Sequence, residues 1–539
     1  MTHDLRLATS RLDSFIRKKM RDEGLQGLTV SVTDRNRLLW QRQYGLTNAD
    51  SRLRVNPDTL FQIGSISKSF ACVVLMQLVE QGKVDLNWPV KRYLPWLEIK
   101  SKHKPITLHH LLSHTAGIVT GTERTVEGRS EIWALRDTEA TARPGEMFHY
   151  SNVGYKIVGE VISRLEGKSC GRVLQERVIR PLGMKSTASE ITHDLRSRLA
   201  VGYWLKFDDL PAKRVPEWAP STWIESETAD GSISSTSLDM SAYVRMLLNR
   251  GKGPSGKILS EKGYRMLTQK AIKCDDGRPD EYYGYGLSVE GYRGHTLIGH
   301  TGSMLGFISS MRLDVDEGIG AFASTNCLRS VDDVTRLAVE LLRRVRHHEA
   351  LSGAERVAVP ASPEPQEYAG TYTGAQHFLE VRRAGRNLVL KYGNEQIPLQ
   401  YREKDSFYAD HPSLDRYFFR FGRNRSNVVE VFHGDEWYAN ARYEGKRSFR
   451  HPKEWVGLTG HYRSHNPWIR NFRVVVRKGE LVLVVPGQPE EPLVPIGGKA
   501  FRVGQDKRSP ERMTFGAFID GQAHTANLSG CEFARTFTP

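Results

Sequence analysis

The last third of the chain contains one strand pattern twice. The segment Tyr368–Tyr372 (YAGTY) returns ninety residues later as Leu458–Tyr462 (LTGHY), and Lys404–Phe407 is matched by Gly498–Phe501. Short runs of alternating apolar and polar residues with glycine-containing turns separate these landmarks, a pattern typical of antiparallel strands. We therefore predict two small antiparallel β-barrels of lipocalin-like class, at residues 366–452 and 453–539.

The first 350 residues have a different pattern, in which long helical periods alternate with loops. Helices are predicted at 4–23, 67–81, 107–112, 154–165, 238–248 and 332–346. Strands are predicted near both ends of this region, at 28–33, 38–44, 311–313 and 318–324. The order indicates an α+β domain, residues 1–350, with helices packed on an antiparallel sheet built from both chain ends. Three prolines between Ala358 and Pro365 mark a linker, residues 351–365, before the barrels.

Composition excludes several classes of function. The net charge is +15, but 366–452 and 453–539 carry +3 and +4 and the first 365 residues carry +8. Such an even spread favours a solvated basic surface over a nucleic-acid footprint. No apolar run approaches the length of a membrane span, and no secretory signal precedes the first helix, so we expect a cytoplasmic protein. The five cysteines are far apart in sequence and are expected to be free thiols.

Ser65 and Lys68 open the most apolar predicted helix. Residues three apart on a helix share a face, so the Lys68 amine can reach the Ser65 hydroxyl. A serine must lose its proton to act as a nucleophile, and a buried amine can accept that proton. A bare S-x-x-K pattern is common, and Ser65 could equally be a helix cap beside a solvated lysine.

Two later segments supply further groups. Tyr150 follows a Pro-Gly turn and is predicted in a loop, where its phenol can act as a proton carrier for Ser65, and Asn152 can bind a substrate carbonyl. His300, Thr301, Gly302 and Ser303 follow a predicted strand and offer an edge to an extended substrate. The backbone N–H groups of Ser65 and Ser303 would then form an oxyanion hole.

Histidine spacing indicates no metal site. His110 and His114 are four residues apart, as are His461 and His465, but no glutamate completes a metal-binding motif in either pair. We expect neither a metal nor an organic cofactor.

Together, these motifs resemble those of the serine β-lactamase and penicillin-binding-protein superfamily, in particular its class C β-lactamase-like branch of S12 peptidases and esterases. The resemblance covers roughly residues 5–346. Its flanking segments are Ile106–Leu108, Leu111–Gly117, Pro181–Met184 and Gly306–Ser309.

The resemblance implies a role for each site residue. Ser65 would be the acylated nucleophile, Lys68 and Tyr150 the proton-transfer pair, and Asn152 a substrate ligand. His300-Thr301-Gly302 takes the place of the lysine-threonine-glycine edge of many lactamases. A permanent positive charge for the substrate carboxylate is then missing, which lowers the expectation of efficient lactam hydrolysis.

The whole-chain layout is similar to that of bacterial D-aminopeptidases, in which a loop of the last barrel limits the active site. By position, 464–470 or 486–491 would be that loop here.

Overall, the sequence predicts a serine hydrolase that forms an acyl-enzyme on Ser65. Its substrate would be a short linear peptide, cleaved as in aminopeptidases or in hydrolases of linearised microcystin. An esterase, a penicillin-recognising D,D-carboxypeptidase or lactamase, and a non-catalytic acylated sensor remain alternatives. We expect no nucleic-acid or membrane partner; the sequence is compatible with a homo-oligomer but does not determine the oligomeric state.

Overall fold

A computed structural model describes residues 3–121, 127–274, 280–292, 294–355 and 364–536. Its internal contacts divide the chain into two units. The first contains residues 1–204, 218–359 and 508–510, and the second contains 205–217, 360–507 and 511–539. Most of the expected linker, residues 356–363, lies outside the described residues, so the four sequence-based domain boundaries stay predictions.

Nine helices are described in the first unit. They are α1 (His3–Glu23), α2 (Ser67–Glu80), α3 (Leu108–Leu112), α4 (Gly128–Ala134), α5 (Asn152–Glu166), α6 (Cys170–Leu174), α7 (Ser237–Leu248), α8 (Glu261–Leu267) and α9 (Asp332–Arg346). The six helices predicted from periodicity are confirmed, with ends that shift by at most two residues. The helices not predicted, α4, α6 and α8, have seven residues or fewer. Such short helices carry few turns, so their apolar period is weak; α3, with five residues, was nevertheless predicted.

The strands of this region are β1 (Gly27–Asp34), β2 (Leu38–Asn48), β3 (Leu53–Arg54), β4 (Phe61–Gln62), β5 (Lys100–Ser101), β6 (Glu139–Ala140), β7 (Tyr203–Leu205), β8 (Trp218–Pro220), β9 (Ser234–Ser235), β10 (Lys252–Gly253), β11 (Gly256–Lys257), β12 (Ile272–Lys273), β13 (Glu281–Tyr283), β14 (Ser288–Tyr292), β15 (His295–Met304), β16 (Phe307–Asp314) and β17 (Ile319–Thr325). Nine of them form one sheet in the order β12-β13-β14-β15-β16-β17-β1-β2-β3. β1 pairs antiparallel with β17, Val30 opposite Ala323. The sheet is therefore built from both ends of the region, as predicted.

Helices cover both faces of this sheet. α7 packs on β1 and β17, while α9 packs on β16 and β17 and also contacts α1. Side chains alternate between the two cores: Phe322 belongs to the core with α2, α5 and α7, whereas Ala321 and Ala323 belong to the core with α1 and α9. This alternation is the two-residue period of a strand buried on both faces. The predicted α+β domain, with helices packed on an antiparallel sheet, is confirmed.

Eight further strands form a closed antiparallel barrel in the second unit: β18 (Gly370–Thr373), β19 (Phe378–Ala384), β20 (Asn387–Tyr392), β21 (Glu395–Glu403), β22 (Ser406–Ala409), β23 (Phe419–Asn424), β24 (Asn427–His433) and β25 (Glu436–Ala439). A second closed barrel contains β26 (Gly460–Arg463), β27 (Asn471–Arg477), β28 (Glu480–Val484), β29 (Glu491–Gly497), β30 (Ala500–Val503), β31 (Arg512–Ile519), β32 (Gln522–Leu528) and β33 (Cys531–Thr536). The two predicted barrels are confirmed.

The internal repeat has a structural cause. The Tyr372 hydroxyl donates to the Tyr368 carbonyl at 2.8 Å, and the matching Tyr462 hydroxyl donates to the Leu458 carbonyl at 2.8 Å. Both tyrosines are fully buried, so each hydroxyl needs such a partner. The repeated tyrosine therefore closes the first strand of each barrel in the same way.

Two short segments are assigned to a different unit from the residues that flank them in sequence. Residues 205–217 belong to the second unit, where the Asp208 carboxylate accepts from Arg463 at 2.8 Å. Arg508–Pro510 belong to the first unit, where the Arg508 carbonyl accepts from the Thr141 hydroxyl at 2.5 Å. The loops 464–470 and 486–491, named from the resemblance, both belong to the second unit.

All five cysteines are buried and free, as expected. No helix among the described residues has the length and hydropathy needed to cross a membrane.

Candidate active site

Ser65 lies in a 3₁₀ turn, Gly64–Ile66, that leads directly into α2. Gly64 has φ +54°, a left-handed conformation that favours glycine, and a side chain there would also collide with the Ser303 backbone. The turn therefore places Ser65 half-buried, at the start of a helix whose other residues are nearly all buried. Serine at this point can present its hydroxyl to solvent while its backbone stays fixed.

Lys68 is fully buried, and its ammonium group faces three neutral acceptors. It donates to the Ser65 Oγ, to the Asn152 Oδ1 and to the Asp230 carbonyl oxygen, each at 2.9 Å. All three donors of the side chain are thereby used. The predicted approach of Lys68 to Ser65 is confirmed by this distance, and Asn152 contacts the lysine through its amide oxygen.

Tyr150 lies in the loop before α5, as predicted. The Lys68 Nζ is 5.0 Å from the centroid of its ring. The Tyr150 ring is also 4.2 Å from the ring of His114. Ser151 caps α5 by accepting from the Gly154 N–H at 3.1 Å, which fixes the chain between Tyr150 and Asn152. The three side chains of the Ser65, Lys68 and Tyr150 set thus lie in one site.

His114 is a buried neighbour of Tyr150 that the sequence did not single out for the site. Its Nδ1 accepts from the Ser151 N–H at 3.0 Å, so the proton of the neutral ring is on Nε2. Burial, together with the positive charge of Lys68, holds the pKa of His114 well below its usual value. The His114 ring is therefore neutral at physiological pH and packs against the Tyr150 ring without adding a charge to the site.

His300 is nearly buried on β15, and its two ring nitrogens have different partners. Nδ1 faces the Thr301 carbonyl, which can only accept, so this nitrogen carries the proton. Nε2 must then accept, and the buried Tyr283 hydroxyl donates to it at 2.9 Å. Burial and the charge of Lys68 lower the pKa of His300 to about 4. His300 is thus neutral at pH 7, and the site has no fixed cation at this position.

Gly302 allows β15 to touch the turn that carries Ser65. A Cβ on Gly302 would lie 1.9 Å from the Ile63 carbonyl oxygen and 3.1 Å from the Ser65 nitrogen. Because the first distance is far below van der Waals contact and involves a backbone atom, only glycine permits this approach. The backbone of Ser303 meets Gly64 at the same place, so the N–H groups of Ser65 and Ser303 are close in space.

The edge of β15 is open beside this contact. Its ladder with β14 ends at Gly299, whereas its ladder with β16 continues to Met304. Among the described strands, only β16 therefore flanks residues 300–304. Thr301 and Ser303 are exposed, and β15 contacts the turn that carries Ser65.

Sequence reasoning missed Asp230, Tyr283 and His114. Asp230 contributes a backbone carbonyl, which any residue type could supply, so no sequence signal marks it. Tyr283 and His114 lie in aromatic- and histidine-containing segments that are also typical of ordinary cores. The histidine pairs considered for metal binding are engaged locally, His110 with Thr107 and His461 with Asn471.

A family comparison decides the classification. The profile of the Beta-lactamase family matches residues 12–344, more than half of the chain. The chain belongs to the beta-lactamase family. The resemblance inferred from the motifs is thereby confirmed, and the family is one of serine hydrolases.

Two relatives found by sequence are distant from this chain. Penicillin-binding protein 4 of Amycolatopsis lactamdurans is 28% identical over 344 residues, which span 61% of this chain and 88% of the relative. Protein flp of Staphylococcus aureus (strain MW2) is 22% identical over 355 residues, 64% of this chain and 67% of that protein.

One solved structure matches a larger part of the chain. The octameric penicillin-binding protein homologue from Pyrococcus abyssi superimposes with a TM-score of 0.61 and 24% identity, over 80% of this chain and 99% of the homologue. EstCE1, a hydrolase with promiscuous acyltransferase activity, has a TM-score of 0.51 and 20% identity, over 60% of this chain and 95% of its own. At such identities the likeness concerns the fold.

Proposed function

We propose that this beta-lactamase family member is a serine peptidase that cleaves short linear peptides through an acyl-enzyme on Ser65. One observation carries the proposal: the fully buried Lys68 amine lies 2.9 Å from the Ser65 Oγ and has no carboxylate among its three partners. A buried ammonium without a counter-ion is costly for stability, so this arrangement is better explained by chemistry than by folding.

Acylation follows from these contacts. In the neutral amine, two N–H groups donate to Asn152 and to the Asp230 carbonyl, which leaves the lone pair directed at the Ser65 hydroxyl. The Ser65 Oγ attacks the substrate carbonyl carbon and its proton passes to Lys68 Nζ. Negative charge develops on the carbonyl oxygen, where the N–H groups of Ser65 and Ser303 stabilise it. The C–N bond then breaks, and Lys68 or Tyr150 returns a proton to the leaving amine.

Deacylation reverses the same proton path. Water attacks the ester carbon, and its proton passes to the Tyr150 and Lys68 pair. The bond from carbon to Oγ breaks, Ser65 recovers its proton and the acid product leaves. No residue outside the set Ser65, Lys68 and Tyr150 is needed to balance the protons.

The preference for a peptide rests on the open edge of β15. An extended peptide lying along residues 300–303 would gain main-chain hydrogen bonds there, and Gly302 lets its carbonyl approach the Ser65 N–H. His300 is neutral, so the site does not depend on a substrate carboxylate. This favours peptides over penicillins, and it also supports esters as a second substrate class.

Substrate profiling tests the proposal. We expect turnover of L- or D-aminoacyl and dipeptidyl p-nitroanilides, with free and blocked amino ends, by the wild-type chain but not by Ser65→Ala. Cleavage of p-nitrophenyl esters without any amide cleavage would leave an esterase, and a stable adduct with fluorescent penicillin would favour a penicillin-recognising enzyme. A persistent adduct with every substrate would instead indicate a sensor.

Assembly is a separate proposal. The Pyrococcus abyssi homologue is octameric, and its structure covers most of this chain. A homo-oligomer in solution is therefore the expectation, and light scattering after gel filtration measures it directly.

A further inference from the structure

A second cluster of polar side chains lies at the far end of β15, where this strand meets the turn between β16 and β17. His295 begins β15, Asp314 ends β16, and Asp316 lies in the turn. The His295 ring nitrogen and one carboxylate oxygen from each aspartate all lie within 4.8 Å of one another. His295 is five residues from His300, about 17 Å along a strand, so the cluster is separate from the Ser65 site.

The hydrogen bonds of the β16–β17 turn leave one Asp314 oxygen and one His295 nitrogen without a hydrogen-bond partner. Asp314 Oδ1 accepts from the Glu317 N–H at 2.9 Å, and Asp316 Oδ2 accepts from the Thr296 N–H at 2.7 Å. Asp314 is completely buried, yet its Oδ2 has no hydrogen-bond partner, and neither has the buried Nδ1 of His295. An unpaired buried carboxylate oxygen is costly and calls for a positive partner.

The two unpaired atoms face each other at the spacing that a metal ion sets. His295 Nδ1 and Asp314 Oδ2 are 3.3 Å apart without a hydrogen bond between them. A tetrahedral ion with bonds of about 2.0–2.1 Å holds neighbouring ligand atoms about 3.3 Å apart. We propose that His295, Asp314 and Asp316 form a structural binding site for a divalent transition-metal ion of the Zn²⁺ class.

The types of ligand atom at this site indicate which metal ion it prefers. One imidazole nitrogen with two carboxylate oxygens suits Zn²⁺ and its neighbours better than Ca²⁺ or Mg²⁺, which prefer oxygen ligands alone. Asp316 is exposed, which gives the ion an entry path and room for a water ligand.

Neighbouring charges leave the site electronegative. Glu317 Oε1 lies 3.8 Å from His295 Nδ1 but accepts from His347 Nε2 at 2.9 Å. Arg35 donates to the carbonyl oxygens of Val315 and Asp316 rather than to the carboxylates. Arg346 lies 4.0 Å from the other oxygen of Glu317. A bound cation would therefore tie the start of β15 to the β16–β17 turn.

Calorimetric titration of the full-length, chelator-treated chain with ZnCl₂ tests this proposal. We expect binding of one Zn²⁺ that raises the melting temperature and that weakens at least about tenfold in His295→Gln and in Asp316→Asn. Both substitutions are at partly or fully exposed positions and are expected to fold. CaCl₂ and MgCl₂ should give no comparable shift in melting temperature.

His411→Gln is the matched control, because His411 Nε2 faces the Glu395 carboxylate at 3.7 Å in the first barrel without belonging to such a cluster. It should bind Zn²⁺ as the wild type does. Unchanged Zn²⁺ affinity in both site variants, or no Zn²⁺ binding by the wild type, would mean that His295 and Asp314 are simply an ion pair. Either result overturns the proposal and leaves the Ser65 proposal untouched, since the two sites share no residue.

Discussion

Replacing Lys68 by methionine removes the amine from the proposed active site while keeping most of its volume. The substitution takes away three hydrogen bonds of 2.9 Å, to Ser65, Asn152 and the Asp230 carbonyl. It leaves the Ser65 hydroxyl without a group that can accept its proton. Lys68 is therefore the residue at which a catalytic role and a purely structural role predict the most different outcomes.

The expected loss of activity is large. A positioned general base contributes about 10²–10⁴-fold to a reaction rate. At 1.36 kcal/mol for each factor of ten, this corresponds to about 3–5 kcal/mol of transition-state stabilisation. We expect kcat/KM to fall by that factor, with the larger share of the loss in kcat.

The expected loss of stability is small. Hydrogen bonds from a charged donor contribute about 1.5–3 kcal/mol each, but burying an ammonium costs several kcal/mol, so the two nearly cancel. We expect the free energy of unfolding to change by less than about 2 kcal/mol. An engineered methionine at this position should therefore give a stable and inactive protein.

Lys156→Met is the matched control, because the Lys156 side chain is only 9% exposed but pairs with the buried Glu131 carboxylate. Removing one partner of a buried ion pair typically costs about 3–5 kcal/mol, since the attraction within the pair no longer offsets the desolvation of the remaining charge. This variant should lose stability and keep its activity per folded molecule. Urea denaturation and p-nitroanilide and p-nitrophenyl ester kinetics measure both effects. If Lys68→Met retains more than about a tenth of wild-type kcat/KM, the general-base reasoning is wrong.

Three further predictions concern neighbouring positions. Tyr150→Phe should lower kcat by about 10²-fold or more with little change in melting temperature, because the ring that packs on His114 is kept. Gly302→Ala should abolish activity in steady-state assays, since its Cβ would lie 1.9 Å from the Ile63 carbonyl; wild-type kinetics in this variant would contradict the described approach of β15 to Ser65. The folded-state pKa of His300, about 4, is below its unfolded value of about 6.5, so the unfolded state gains protons first and stability falls as pH drops from 6.5 to 4. That loss amounts to about 3 kcal/mol and should be smaller in His300→Gln, as measured by denaturation at each pH.

Much of the fold could be predicted because long periodic segments dominate it. α9 is predicted to the residue, and α2 differs only at its last turn, because their apolar faces extend over several turns. The barrels were predictable from duplication, which reveals strand boundaries that single strands do not. Residues 205–217 and 508–510 could not be placed, because membership in a unit depends on contacts distant in sequence.

The candidate site was predictable only where the proposed chemistry requires particular side chains. Ser65, Lys68 and Tyr150 are such residues, and the structure brings them together around the Lys68 amine. The Asp230 carbonyl and the Tyr283 hydroxyl were not predictable, since one is a backbone group and the other acts through His300. The neutral state of His300 was not predictable either, because it depends on burial of the ring, which the sequence around His300 does not indicate.

Intact-mass and peptide mass spectrometry after rapid mixing with an activated ester or a fluorophosphonate is the most direct test of the proposed acyl-enzyme. The wild-type chain should gain the mass of one acyl or phosphonyl group on the peptide that contains Ser65, and the ester adduct should disappear as product forms. Ser65→Ala should gain none and should keep less than about a hundredth of wild-type turnover with a nearly unchanged melting temperature. An adduct on another residue, or turnover that survives in Ser65→Ala, would contradict the account.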